Sequence, residues 1–395
     1  MKIKRCLKSE VPVPPNGYGY FYLDQETNKL KLKKTTEIIS WDLFGVDKYK
    51  DVDVETVRLC YILENDDTEG YAGKVLVQFD NSCTSIPLLE GENNNVKKWD
   101  AIKTSDGHFY TDDKTIGHTF ADNCTDKYII CYYHNNSSDD IYIGNNSGMI
   151  PDSENSWNSS YFLEKTKRAI YFNFDFYDSF GCRFFGNDGV GNYSSITFLN
   201  CNFEHVNSVN AFAFGEEDCE HLYILNEQTN NSLNFINVQT FNQNIFAYGG
   251  PKFIHGTIAV SSLNNIFSEY SNIIECPEIE IVSESYSASG MFSNCTDLIS
   301  IPLLNLSGVT NCEGMFFGCE KLRYLGGFNG LKVDLSLAES PLLARSSLLN
   351  VLNNLADVSE LGTNPTLTLA ADSYNILTED KIAIGTNKGW TITYA

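Results

Sequence analysis

Signatures of the common metal- and nucleophile-dependent enzymes are missing from this sequence. None of its six histidines stands in His-x-x-x-His or His-Glu-x-x-His spacing, the arrangement that brings two imidazoles onto one metal from a single helix. A zinc hydrolase of that type is therefore not expected. Gly-x-Ser-x-Gly is absent, which removes the nucleophile elbow. The glycines of Gly186-Asn187-Asp188-Gly189-Val190-Gly191 come in the wrong order for a dinucleotide loop and read as a turn. Twelve cysteines contain no Cys-x-x-Cys pair and are scattered over 395 residues, so most are expected as free thiols.

Long hydrophobic runs are lacking as well. No segment approaches transmembrane length, and the N-terminus has basic residues without the apolar stretch of roughly 7–15 residues that an export signal needs. Folding in the cytoplasm where the chain is made is the expectation. Positive charge is scarce: 28 Lys and Arg face 51 Asp and Glu, a net charge of -23. Residues 1–34 hold eight basic and three acidic side chains, so the remainder carries -28. Such an acidic body repels phosphate backbones and anionic lipid, so neither nucleic acid nor membrane is an expected partner.

Aromatic residues and glycine are plentiful instead: 25 Phe, 22 Tyr and 28 Gly against four Met and four Trp. Aromatic side chains suit pleated, half-buried surfaces, and the fold class expected is mainly β. Four parts follow along the chain. Residues 1–48 read as a hairpin segment, in which GYFYLD and KLKLK flank a turn. Residues 49–165 offer strand candidates VETVRLCYIL, KVLVQF and KYIICYY between polar turns, which suggests a small β-sandwich-like domain. Its end, from Asn135 to Ser160, is rich in Asn, Ser, Asp and Gly and reads as a linker or long loop.

Residues 166–335 are repetitive. Aligning a small or polar residue, an apolar residue and Phe picks out Asn210-Ala211-Phe212, Asn244-Ile245-Phe246, Asn265-Ile266-Phe267, Gly290-Met291-Phe292 and Gly314-Met315-Phe316. The array is irregular first and regular later, with a period of 24 to 25 residues over 266–325. Cys295 and Cys319 lie 24 apart, as do Leu298 and Leu322, while Pro277 and Pro302 lie 25 apart. Each unit has too few apolar groups to bury alone, so units must stack. The core expected of that stack is Phe267, Met291, Phe292, Cys295, Leu298, Met315, Phe316, Cys319 and Leu322.

An open end would expose strand edges, and residues 336–395 are expected to cap it. Ser340-Pro341 starts an amphipathic stretch with Leu342, Leu348, Leu349, Leu352 and Leu355 near helical spacing. A short helix in TEDKIAIGTNK and a final strand in WTITYA follow.

The unit from Met291 to Gly314 resembles the BspA-like leucine-rich repeat of bacterial surface proteins and mycoplasma lipoproteins. Met291, Phe292, Cys295, Leu298, Ile301, Pro302, Leu304, Ser307, Val309, Thr310 and Asn311 fill its pattern. The N-terminal segment resembles the anchors of tailed-phage fibre proteins through Pro12, Pro14, Pro15, Gly17, Tyr20, Tyr22, Leu23, Asp24, Leu30 and Leu32. The C-terminal ending is similar to the C-termini of repeat proteins encoded by phages and other elements of gut Bacteroidales. These resemblances imply a leucine-rich-repeat solenoid with an α/β cap, displayed on a virion as a fibre or spike. The implied partners are other virion proteins of head, collar or tail, and a host surface glycan or protein. A homotrimer is implied too, because multivalency strengthens a short anchor.

Two other functions stay open at this level, a bacterial surface adhesin and a capsule-degrading tail enzyme. The enzyme would need two carboxylates, and Asp106, Asp112, Asp113, Asp122 and Asp126 crowd one region, though 51 acids make such crowding ordinary. No catalytic residue, cofactor or metal ligand is assigned. Asp218-Cys219-Glu220-His221 gathers ligand types but falls inside a repeat, and Glu64 to Gly70 lacks the alternation of a calcium loop and reads as solvated. Trp99, Phe109, Tyr110, Tyr132, Tyr133, Trp157 and Tyr161 sit in or near polar loops, where they serve either sugar stacking or core packing.

Overall fold

The computed structural model describes residues 250–395 continuously. Before them it describes 52–79, 83–86, 100–111, 118–121, 126–134, 167–173, 175–180, 193–209, 218–226, 231–235, 240–241 and 246, with the backbone of Arg5–Cys6, Gly19–Asp24, Leu30–Lys34 and Ile38–Trp41. The protein is mainly β, with few helices.

An eight-stranded sheet organises the first half. Its order is Gly250–His255, Asp218–Leu225, Tyr193–Leu199, Lys167–Asn173, Gly73–Phe79, Tyr128–Tyr133, Ala101–Thr104 and Phe109–Tyr110. The first four strands pair parallel and the rest antiparallel. Alternate side chains serve two cores. Val75, Val77, Ile129, Cys131, Phe172 and Phe198 enter a core that continues to Trp390. Leu76, Ile130, Tyr132, Tyr171 and Tyr223 pack on Leu59, Cys60 and Leu63 of a helix on the other face. Burial on both faces explains why KVLVQF and KYIICYY are nearly continuous apolar runs.

That helix, α1 (Val54–Glu64), corrects the strand expected at VETVRLCYIL. Asp53 caps it, accepting hydrogen bonds from Glu55 N and Thr56 N at 3.0 Å each. This satisfies two otherwise orphaned donors and starts the helix. Val57, Cys60 and Leu63, all buried, then fall on one side at three-residue steps. The β-branched and aromatic content of the segment suggested a strand, but the cap and the sheet beneath decide for helix. The sandwich expected for 49–165 is likewise replaced by one sheet, covered by α1 on one face and by the long core on the other.

Beyond the sheet, short strands stack in parallel pairs. Ser232–Asn234, Thr257–Val260 and Glu278–Ile281 form one ladder. Tyr286–Ser287 pairs with Val309–Asn311, Ser300–Ile301 with Tyr324–Leu325, and Leu304–Asn305 with Phe328–Asn329. Backbone hydrogen bonds join successive units: Asn265 N to Ser289 O, Phe267 N to Met291 O and Glu269 N to Ser293 O, then Gly290 N to Glu313 O, Phe292 N to Met315 O and Asn294 N to Phe317 O. These rungs are the physical origin of the 24-residue period.

Each turn also needs left-handed backbone at two places. Asn265 (φ 53), Gly290 (φ 60) and Gly314 (φ 63) occupy the first, and Glu269 (φ 61), Asn294 (φ 59) and Gly318 (φ 72) the second. Glycine and asparagine tolerate that region best, which accounts for the small or polar residue ahead of the apolar-Phe pairs that end at Phe267, Phe292 and Phe316.

The C-terminal part keeps the parallel order, with Leu335–Leu337, Thr366–Leu369 and Thr391–Tyr394 adjacent and helices α2 (Arg345–Asn354), α3 (Ala371–Asn375) and α4 (Glu379–Thr386) between them. Helix α2 starts later than Ser340-Pro341, because Ser340 is buried with its hydroxyl donating to Cys319 O at 3.3 Å. Leu342 is consequently exposed rather than on a helical face.

Candidate functional site

The repeat residues singled out by spacing share one interior. Phe267, Met291, Phe292, Cys295, Leu298, Met315, Phe316, Cys319 and Leu322 are all buried. Ring centroids of Phe267 and Phe292 lie 5.5 Å apart with planes 8° from parallel, and those of Phe292 and Phe316 lie 5.6 Å apart at 13°. Phe246 extends the stack at one end and Phe328 at the other. The cysteines are built into the same ladder: Cys295 Sγ donates to Phe267 O at 3.0 Å, and Cys319 Sγ to Phe292 O at 3.1 Å. A small thiol thus satisfies a carbonyl of the preceding unit from inside the core.

Nine cysteines have described side chains, all buried, and none is joined to another of the nine by a disulfide. Burial pushes the thiols of Cys312 and Cys319 up to about 12, and those of Cys131, Cys276 and Cys295 up as well. Thiolate is the reactive form, so these groups are inert while the fold holds. Iodoacetamide at about pH 8, followed by peptide mapping, is expected to leave all nine unlabelled until denaturant is added. Native labelling of Cys295 or Cys319 contradicts the packing.

Of the proposed anchoring residues, Pro12, Pro14, Pro15 and Gly17 lie outside the described residues. Tyr20, Tyr22, Leu23 and Asp24 stand on Gly19–Asp24, which pairs antiparallel with the strand carrying Leu30 and Leu32. That pair belongs to a four-stranded sheet with Arg5–Cys6 and Ile38–Trp41. The aromatic candidates divide: Tyr132 and Tyr133 are core, Phe109 is 46% exposed, and Trp99, Trp157 and Tyr161 lie outside the described residues.

The region of crowded acids gives an arrangement that helical spacing did not reveal. A tight turn after Ala101–Thr104, with Gly107 at φ 94, brings Asp106 and His108 back along Phe109–Tyr110. His118 approaches from His118–Thr119, a strand paired with Ser85–Ile86. Ligand atoms of Asp106, His108 and His118 lie within 4.8 Å of one another. Asp106 Oδ1 is 3.3 Å from His108 Nδ1 and 3.1 Å from His118 Nε2. The side chains of His118 and Asp106 are 2% and 8% exposed, that of His108 59%.

Both oxygens of the Asp106 carboxylate are held in place. Thr104 Oγ1 donates to Oδ1 at 2.6 Å and Ala121 N to Oδ2 at 3.1 Å. Burial alone would raise its pKa, but these hydrogen bonds, with the His108 ring and the His118 charge, hold it down to about 2. Tyr110 Oη meets His118 Nδ1 at 2.9 Å, and burial followed by the Asp106 charge raises the phenol. The signal in the sequence is period two rather than four: Thr104, Asp106, His108 and Tyr110 alternate, as one face of a turning hairpin does.

Other candidates resolve into structure. Asp126 lies 3.9 Å from Arg58, while Asp112, Asp113 and Asp122 are outside the described residues. The solvated loop expected at Glu64 to Gly70 is corrected at Asp66, which is buried and paired with Lys103 at 2.7 Å and Lys74 at 3.6 Å. Burial opposes ionisation of Asp66, yet the hydrogen bonds from Lys103, Tyr132 and Thr68 and the Lys103 charge together outweigh it and lower the pKa. In Asp218-Cys219-Glu220-His221, the cysteine is buried, and His221 Nδ1 meets His255 Nε2 at 2.9 Å between the rings of Phe253 and Tyr223. No protein family, characterised protein or solved structure matches the chain.

Proposed function

We propose that the protein is a structural component of a tailed-bacteriophage virion, a fibre or spike held by its N-terminal segment and displaying a leucine-rich-repeat solenoid for host recognition. On this reading residues 166–335 form the solenoid and 336–395 its α/β cap. The observation that carries it is the stack of parallel units, whose buried core leaves Leu303, Phe317 and Tyr324 each 54% exposed. Exposed apolar side chains on a rigid ladder suit recognition of a host glycan or protein, because they give contact area without an ordering cost. The basic surplus of residues 1–34 suits docking on an acidic virion protein. The reading is non-enzymatic and makes the protein a homotrimer.

Purified particles test it directly. Peptide mass spectrometry is expected to find the chain in wild-type virions and to lose it when residues 1–48 are deleted, with the free protein running as a trimer of 44.3 kDa subunits in mass photometry. Absence from particles together with presence on bacterial cell surfaces overturns the virion reading in favour of an adhesin. Shortening of host capsule by the purified protein overturns the non-enzymatic part.

A further inference from the structure

We infer that Asp106, His108 and His118 form a binding site for a divalent transition-metal cation, with zinc the ion whose geometry they fit. Two imidazoles and a carboxylate are the ligand set of many three-ligand zinc sites. A tetrahedron with metal–ligand bonds of about 2.1 Å has edges of about 3.4 Å. Asp106 Oδ1 stands 3.3 Å from His108 Nδ1 and 3.1 Å from His118 Nε2, so two edges are nearly at that length without movement.

A second observation points the same way. Among the described residues, buried His118 Nε2 has no hydrogen-bond partner: Asp106 Oδ1 is 3.1 Å away, but the two are not aligned for an N–H···O bond. A buried polar nitrogen left without a partner costs free energy. A metal ion set off the line between nitrogen and oxygen gives both atoms a ligand role. Tyr110 then does what partners of metal-bound histidines do, fixing the tautomer and the ring plane from behind. Thr104 and Ala121 orient the carboxylate in the same way.

The placement gives the ion a task. Asp106 and His108 belong to the turning edge of the eight-stranded sheet, and His118 to the two-stranded sheet with Ser85–Ile86. One ion would tie the two together. His108 is largely exposed, so the ion's fourth position faces water. This site stands independently of the virion reading.

Isothermal titration of the full chain with ZnCl2, after dialysis against a chelator, is expected to show one saturable site. His108→Ala should weaken it by about 100-fold or more, and the exposure of His108 means the variant leaves the core intact. Tyr110→Phe keeps all three ligands and should weaken binding about 10–100-fold by removing only the orienting hydroxyl. Cobalt(II) in place of zinc should give the visible bands of a four-coordinate site. No saturable zinc binding by the wild-type chain overturns the proposal. Binding that His108→Ala and Tyr110→Phe leave unchanged overturns it equally, since the zinc is then held elsewhere.

Discussion

Phe292→Ala is expected to lower the unfolding free energy by about 3–5 kcal/mol, the range for emptying a buried phenylalanine site. The side chain is fully buried, and its ring is sandwiched near-parallel between Phe267 and Phe316 at 5.5 and 5.6 Å. The deletion therefore removes buried area and two ring contacts together. The surroundings have little freedom to collapse, because the units above and below are tied to the backbone here by Phe267 N to Met291 O and Phe292 N to Met315 O. In a stacked array each unit is held by its neighbours, so the loss reaches units on both sides. A urea titration followed by circular dichroism measures it, with Phe292→Leu as a milder variant that keeps most of the volume. A loss below about 1 kcal/mol for Phe292→Ala would mean that the aromatic ladder is not the spine of the core.

Gly326→Ala is the second large effect, about 3 kcal/mol or more, by a different mechanism. Gly326 N donates to Ile301 O at 2.9 Å, which draws the two backbones together. An added Cβ would sit 2.3 Å from Leu303 N, 2.7 Å from Pro302 C and 2.9 Å from Leu303 Cα. All three are main-chain atoms, so no rotamer change relieves the clash, and the spacing between units has to open. Gly314→Ala makes the contrast. Its φ is +63, but nothing lies within 4 Å of the added carbon, so only the left-handed strain remains, about 1–2 kcal/mol. Equal thermal shifts for the two variants would contradict a close approach of backbones at Gly326.

Charge adds a small local term to the same stack. Lys321 reaches Asp297 of the preceding unit at 2.6 Å, 24 residues back, so even a surface ion pair follows the period. Both partners are well exposed, and such a pair contributes little to stability.

How legible the protein was depends on the range of the interactions involved. The repeat was legible because its determinants recur: a residue tolerant of left-handed backbone, then an apolar residue and Phe, then Cys and Leu. Periodic contacts leave periodic sequence, and the same offsets that align Phe292 with Phe316 also align their backbone rungs. Helix α4 and the final strand were legible for a related reason, since local pattern and tertiary place agree there.

Elsewhere local pattern and tertiary place part company. VETVRLCYIL has the residues of a strand, and becomes a helix because Asp53 caps it and a sheet face of Leu76, Ile130 and Tyr171 needs covering. The sequence by itself determined the mainly β class, the period of the stack and the identity of its buried residues, because those follow from composition and repetition. Only the tertiary structure decided that the strands of 73–133 join those of 167–255 in one sheet, and that His118, held by pairing with the distant Ile86, meets Asp106 and His108. Both depend on strand pairings between distant segments, whose energy comes from the partner, and no window of sequence contains the partner.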